Sequence, residues 1–368
     1  MNRGGFFAIA VSLLLTTCID PFDIGDVVDG QSRLVVDGLL TNEVKAHRVR
    51  LTYSSPNLQA FDSEPVTNAD VFVEDENGNR IQFIEGEGGN YFTPPDFAGT
   101  VGASYTLHIR TAENISYRSS PEIMRSVADI DSIYAEPASR SYLTSIGNLL
   151  DEWGLEFYVD TGTRQPESNF YRWEWEETYE FVAPLTRPNQ IIQPICYQSG
   201  RSFGRLLISS SQDFTQDRIE RQPLTFVSKR TYKLQRRYSL LVRQFSLTES
   251  AFNFWSNIEE QRDADGSLFD PPPSRILGNI LREDDPDDAV LGFFQVSAVT
   301  EKRFFIDRTE VPIEPGGPVR GFSSCVETPE PPTGGSGESP GDIPDGPPEF
   351  CFDCTLILGT TTEQPSFW

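Results

Sequence analysis

A chain of 368 residues with 55 Asp and Glu against 30 Lys and Arg has a formal net charge of −25, a surface that repels phosphate backbones and argues against nucleic acid as a partner. The same acidity suits anionic headgroups poorly, so attachment to a membrane has to rest on a lipid or an apolar segment and not on basic patches. With 38% hydrophobic and 12% aromatic residues the chain can build one large core or two smaller ones, and strand-favouring aromatics far outnumber its 2 Met.

The first residues read as a processed leader. Arg3 supplies the positive start, and Phe6 to Leu15 is an apolar run broken only by Ser12. Spanning a bilayer takes roughly 20 apolar residues, so this run has the length of a signal-peptide core and not of a membrane helix. Leu15-Thr16-Thr17-Cys18 follows at once, the pattern that lipoprotein processing requires. We expect a signal peptide over 1–17 and a lipid on Cys18, where each buried CH₂ contributes about 0.8 kcal/mol of membrane affinity. The alternative is an ordinary secretory leader with an incidental Cys. Residues 18–31, extended and acidic from Asp20 to Asp23, read as a tether.

From Ser32 to residue 125 short strands alternate with turn signals. Leu34 to Leu40 is a first apolar run. Val49, Leu51 and Tyr53 alternate with Arg48, Arg50 and Thr52. Val71 and Val73 continue the pattern, and Asn77-Gly78 marks a hairpin because both residues tolerate positive φ. Tyr105, Leu107 and Ile109 form another apolar stripe. Such spacing predicts an immunoglobulin-like β-sandwich over 32–125.

Residues 126–368 predict a larger β-rich domain with one or two short helices. Ile130 to Tyr134, Leu155 to Val159 and Arg237 to Arg243 read as strands. In Tyr171-Arg-Trp-Glu-Trp-Glu176 the aromatics face one side and the charges the other. Ala251, Trp255 and Ile258 recur at helical spacing after a capping box of Ser246 and Glu249. Gly266 to Pro273 reads as a rigid loop, Val290 to Val299 and Arg303 to Ile306 as further strands, and the Pro/Gly-rich acidic stretch 327–349 as a loop. The fold class is therefore mainly β.

Cys196, Cys325, Cys351 and Cys354 remain after Cys18. An even number in an exported chain reads first as two disulfides, with three connectivities open. A zinc site of four thiolates is an alternative, and a redox Cys-x-x-Cys a weaker one. Pro347-Pro348 before it and the strand-like Thr355 to Leu358 after it disfavour the helix N-terminus that redox chemistry uses.

Little else points to chemistry. His47 and His108 are the 2 His of the chain, and neither joins a recognisable catalytic pattern. Glu174 and Glu176 share a strand face as a hydrolase pair would, although a solvated face opposite a Trp core explains them as well. Glu283 to Asp288 could hold Ca²⁺ but lacks the glycine and spacing of a known loop. Trp173, Trp175 and Trp255 could stack on sugars, yet alternating Trp on a strand is more often core. We expect no catalytic residues, no metal and no cofactor.

Several segments taken together resemble a known family. These are Cys18 to Phe22, Leu34 to Gly38, Gly99 to Leu107, Tyr171 to Glu177, Tyr238 to Gln244, Phe269 to Asn279, Val290 to Phe294 with Lys302 to Phe305, and Cys351 to Cys354 with Pro365 to Trp368. In this order they resemble the Bacteroidota outer-membrane lipoproteins classed as domain of unknown function 4249. Members of that family are often encoded beside TonB-dependent receptors. The resemblance implies a lipid-anchored, surface-exposed outer-membrane protein that binds substrate for, or assists, a TonB-dependent β-barrel transporter in nutrient uptake. A structural or assembly lipoprotein without a small ligand is the first alternative, and a surface hydrolase the second.

Overall fold

The computed structural model describes residues 32–55, 63–143, 147–162, 169–188, 190–202, 206–212, 218–263, 276–312, 325 and 347–368. The leader, Cys18 and its tether, the Gly266 to Pro273 loop and residues 327–346 lie outside them. The chain is mainly β, with four sheets and one α-helix among the described residues.

Two six-stranded sheets share the first core. In the first, Leu34–Thr41 pairs with Arg48–Tyr53, which pairs with Asn90–Phe92. The predicted alternation holds from Arg48 to Leu51, with Val49 and Leu51 buried and Arg48 and Arg50 exposed, and breaks at Thr52, which is buried too. In the second, Asp70–Asp75 lies between Arg80–Gln82 and Ser104–Arg110. Gly78 takes the positive φ of 80° that the Asn-Gly turn was expected to need. Val36, Leu51 and Tyr91 from one sheet meet Val71, Leu107 and Ile109 from the other, so each strand hides its apolar face against the opposing sheet.

These sheets are not complete at residue 125. Leu291–Ser297 returns to lie parallel to Leu34–Thr41, and Ile280–Arg282 adds antiparallel to Ser116–Ser119. The sequence pattern assigns Val290 to Val299 to the larger domain over 126–368. Phe293 through Ser297 is buried, as suits a strand paired along one sheet and covered on both faces, and nothing local names so distant a partner. Gly292 permits the approach: its φ is +87°, and a Cβ there would stand 2.0 Å from the Val36 carbonyl oxygen.

The second core lies between a three-stranded sheet and a six-stranded one. Ile130–Leu143, Leu149–Thr161 and Gln222–Ser228 form the smaller sheet. The larger runs Val299–Asp307, Arg237–Leu247, Phe170–Phe181, Cys196–Arg201, Thr360–Thr361. Tyr171, Trp173 and Trp175 all turn into this core, as their alternation predicts. The buried Trp173 donates its indole N–H to Gln244 Oε1 at 2.9 Å, which removes the cost of hiding that donor.

The helix Glu249–Asp263 bridges the two cores, with Ala251 and Phe254 packed against Phe170, Leu247 and Phe293. Its cap is Thr248, whose Oγ1 accepts from the Ala251 amide at 3.2 Å. The proposed cap, Ser246, instead sits in the preceding strand and donates to the Arg125 carbonyl at 2.6 Å. The strand runs four residues beyond the predicted Arg243, to Leu247, and the cap falls on Thr248, two residues after Ser246. The buried Glu122 carboxylate accepts from the Thr248 and Ser250 hydroxyls, both at 2.6 Å, and so fastens the first unit to the helix N-terminus. Burial pushes the Glu122 carboxyl up, against those hydrogen bonds.

All four remaining cysteines form disulfides: Cys196 with Cys354 and Cys325 with Cys351. The neighbours Cys351 and Cys354 thus serve different partners, and Cys354 ties the C-terminal segment to the large sheet through Cys196. The stretch expected as a strand after Cys354 is a 3₁₀ turn, Cys354–Leu356, and the strand that follows is Thr360–Thr361.

Candidate ligand-binding cleft

The outward face of the large sheet opens into a cleft of ≈ 700 Å³, within the size range of small-molecule sites. Its floor is Arg172, Glu174 and Glu176 from one strand and Leu241 and Arg243 from the next. The helix supplies one wall through Trp255, Ile258 and Arg262, and the loop after the first strand supplies Glu43 and Lys45. Strand alternation explains the floor: turning Trp173 and Trp175 inward turns Arg172, Glu174 and Glu176 outward.

Arg172 is the centre of this site. It is only 8% exposed, and its guanidinium carbon lies 5.0 Å from the ring centroids of both Phe245 and Trp255. One terminal nitrogen donates to Glu174 Oε1 at 2.9 Å, while Nε is buried with no hydrogen-bond partner. Burial lowers the Arg172 pKa, and Glu174 offsets part of that. Trp255 is oriented from behind by its indole N–H, which donates to Gln295 Oε1 at 2.9 Å.

Around Arg172 the charges interlock. Glu43 accepts from Lys45 and Arg243, and Arg243 also lies 3.8 Å from Glu301. Burial pushes the Glu43 carboxyl up, but the Lys45 ammonium and the Arg243 guanidinium outweigh it and hold the pKa below its ordinary value. Arg201 donates to Glu176 at 3.2 Å. Five cationic side chains and four glutamates therefore line one cleft of a chain whose net charge is −25. A guanidinium held against two rings at the cleft floor can receive a carboxylate or another planar anion, and Leu241 and Ile258 can cover an apolar body beside it.

Residues 19–303 match the family described as Domain of unknown function (DUF4249). The chain belongs to this family. The match includes every residue that lines the cleft and stops before Cys325, Cys351 and Cys354, so the C-terminal disulfide segment lies beyond it. No curated protein and no solved structure matches the chain.

The other singled-out residues of this DUF4249 chain have plain structural surroundings. His47 is buried beside Phe97; its Nδ1 accepts from the Thr41 amide at 3.3 Å, which leaves Nε2 to donate to the Glu43 carbonyl at 3.1 Å. It thereby holds the loop that presents Glu43 to the cleft, and burial lowers its pKa. His108 stacks on Phe72 at 4.7 Å, and burial lowers its pKa too. In the acidic turn Arg282 occupies the centre, donating to Asp284 at 2.7 Å and Asp288 at 3.0 Å, where the calcium reading had put a cation. Of the tryptophans, Trp173 and Trp175 belong to the core, with Trp175 also bordering the cleft, and Trp255 is the ring against which Arg172 lies. Cys18 lies outside the described residues. Among the described residues no helix is long and apolar enough to cross a membrane.

Sequence reasoning named Glu174, Glu176 and Trp255 but missed Arg172, Arg243, Glu43 and Lys45. An Arg between Trp and Glu on a strand looks like any solvated charge. What could have flagged Arg172 is its place on a face that a predicted aromatic helix has to cover.

Proposed function

We propose that this DUF4249 chain is a non-catalytic lipoprotein of the outer membrane, held by a lipid on Cys18, that acts as a substrate-binding or accessory subunit of a TonB-dependent transporter. The cleft around Arg172 carries the reading: an almost buried guanidinium with an unmet N–H, framed by two aromatic rings, is costly to build and fits a bound ligand better than a purely structural face. Pairing of Glu174 with Arg172 and of Glu176 with Arg201 supports binding over hydrolysis, since each carboxylate already accepts from a guanidinium. The Cys18 leader and the family membership support the envelope setting. The test is a pull-down of the tagged native lipoprotein in mild detergent with mass spectrometry of what accompanies it. A stoichiometric TonB-dependent barrel is the expected companion; a solitary lipoprotein counts against the transporter role.

A further inference from the structure

The outward face of the large sheet continues beyond the cleft. Residues directly opposite one another on neighbouring strands share a face, so the face is laid out in rows. Glu301, Arg243 and Glu174 form one row, and Arg303, Leu241, Glu176 and Arg201 the next. All of these line the cleft except Arg303. Past that row the chain covers its own sheet. Cys354 and Thr360–Thr361 anchor the chain to the strand Cys196–Arg201, and residues 362–368 then cross the face as a strap. Trp368 lies against Tyr197 and Phe305, with ring centroids 5.4 and 5.9 Å away, and donates its indole N–H to Glu180 Oε2 at 3.1 Å. Phe367 lies on Arg303, whose guanidinium carbon is 3.5 Å from the ring centroid. Arg303 Nη1 donates to the Ser239 hydroxyl at 2.9 Å, one row further from the cleft. Burial lowers the Arg303 pKa, and the Glu176 and Glu301 carboxylates offset part of that.

We propose that Phe367 is a specificity-determining residue, which holds Arg303 out of the cleft and so restricts the cleft to monoanions with an apolar body. This selectivity rests on the reading of the cleft as a ligand site. Arg243 and Arg303 are diagonal neighbours on adjacent strands, about 7–8 Å apart at the backbone. An anion received by Arg243 or Arg172 therefore has a further guanidinium within one row of it. Phe367 gives that guanidinium a ring face and Ser239 gives it an acceptor, and together they keep it from the cleft. What the ligand meets at that end is Leu241, with the Glu176 carboxylate beside it. Leu241 suits an apolar group, and Glu176 repels a second negative charge. Removing the ring leaves Arg303 drawn toward Glu176 and Glu301, both of which line the cleft. The family match ends at Arg303 itself, so the strap sets the selectivity of the cleft from beyond the matched residues.

The test dialyses the full lipidated chain, in detergent micelles, against two acids of one shape. Para-toluate carries one carboxylate and a methyl group; terephthalate carries a second carboxylate in place of the methyl. Wild type is expected to favour para-toluate. Phe367→Ala is expected to raise the affinity for terephthalate relative to para-toluate by about tenfold, the effect of one charge-assisted hydrogen bond. Adding Arg303→Met is expected to abolish that gain. Phe367 is 37% exposed, and unfolding midpoints check that the variants fold. Phe367→Leu, which keeps an apolar side chain without a ring face, is expected to shift the ratio the same way. An unchanged ratio in both Phe367 variants overturns the proposal, as does a gain that survives Arg303→Met. If para-toluate binds and is lost in Arg172→Met while the ratio stays fixed, the cleft remains a ligand site and only the role of Phe367 falls. If neither acid binds wild type, the cleft as an anion site falls and the selectivity with it.

Discussion

Arg172 and Trp255 are separated by 83 positions in the chain, yet the Arg172 guanidinium lies 5.0 Å from the Trp255 ring centroid. The pair exists because the helix Glu249–Asp263 folds back over the outward face of the Phe170–Phe181 strand. With Phe245 it encloses an arginine that would otherwise be solvated, and leaves Arg172 only a small exposed part at the cleft floor.

That relationship makes the chemistry of position 172 separable from its packing. Arg172→Met keeps an unbranched body between the rings and removes a charge that burial disfavours, so stability should change by less than about 1 kcal/mol in either direction. Arg172→Ala leaves the rings unfilled and should cost about 2–3 kcal/mol. Urea unfolding midpoints of the two variants check this; equal, large losses in both would mean that the charge itself holds the helix.

His47 predicts a pH dependence. Its folded pKa lies below the ordinary 6.5 because burial disfavours the charged ring. Between the folded and unfolded pKa values the native state binds fewer protons, so its contribution is full above about pH 6.5 and is lost as pH falls through the window below that value. Protonated Nδ1 would also meet the Thr41 amide donor to donor. Denaturant unfolding of wild type and His47→Asn at about pH 7.5 and pH 5.5 should show a smaller loss in the variant. An identical loss would remove His47 from the account.

Gly292 tests the closure of the first unit by the late strand. A Cβ would meet the Val36 carbonyl oxygen at 2.0 Å, and the φ of +87° is strained for any other residue. Gly292→Ala should cost more than about 2 kcal/mol. Hydrogen exchange should show loss of protection in both Leu34–Thr41 and Leu291–Ser297, whose residues pair directly. Loss confined to the later strand would contradict the pairing.

The disulfides predict no free thiol among Cys196, Cys325, Cys351 and Cys354 when the protein is denatured without reductant, and peptide mapping should join Cys196 to Cys354 and Cys325 to Cys351. On the loop-entropy view, separations of 158 and 26 residues correspond to about 5 and about 3.5 kcal/mol. Cys196→Ser with Cys354→Ser should therefore lower stability more than the other double replacement.

What could be read from the chain was whatever repeats locally. Trp173 and Trp175 declare a buried face by alternating with charges, Asn77-Gly78 declares its turn by backbone freedom, and Ala251 with Trp255 declares a helix by its period. Each signal is carried by residues a few positions apart. What could not be read depends on distant partners. Leu291–Ser297 is an apolar run that suits many neighbours, and its pairing with Leu34–Thr41 leaves no mark on either segment. The choice of Cys196 over Cys351 as partner for Cys354 is likewise a matter of the folded chain. The cleft is the extreme case: Glu43 and Arg243 meet across 200 positions, and each alone resembles an ordinary surface charge.

The cleft as a ligand site is most directly tested in living cells. A photo-reactive residue replaces Ile258, at the cleft wall, and in a control protein replaces Leu358, which is 95% exposed and does not line the cleft. After illumination, intact-mass and peptide analysis should find a defined adduct at 258 that is missing at 358 and is lost when Arg172→Met is added. Identical background labelling at both positions, with or without Arg172, would contradict the account.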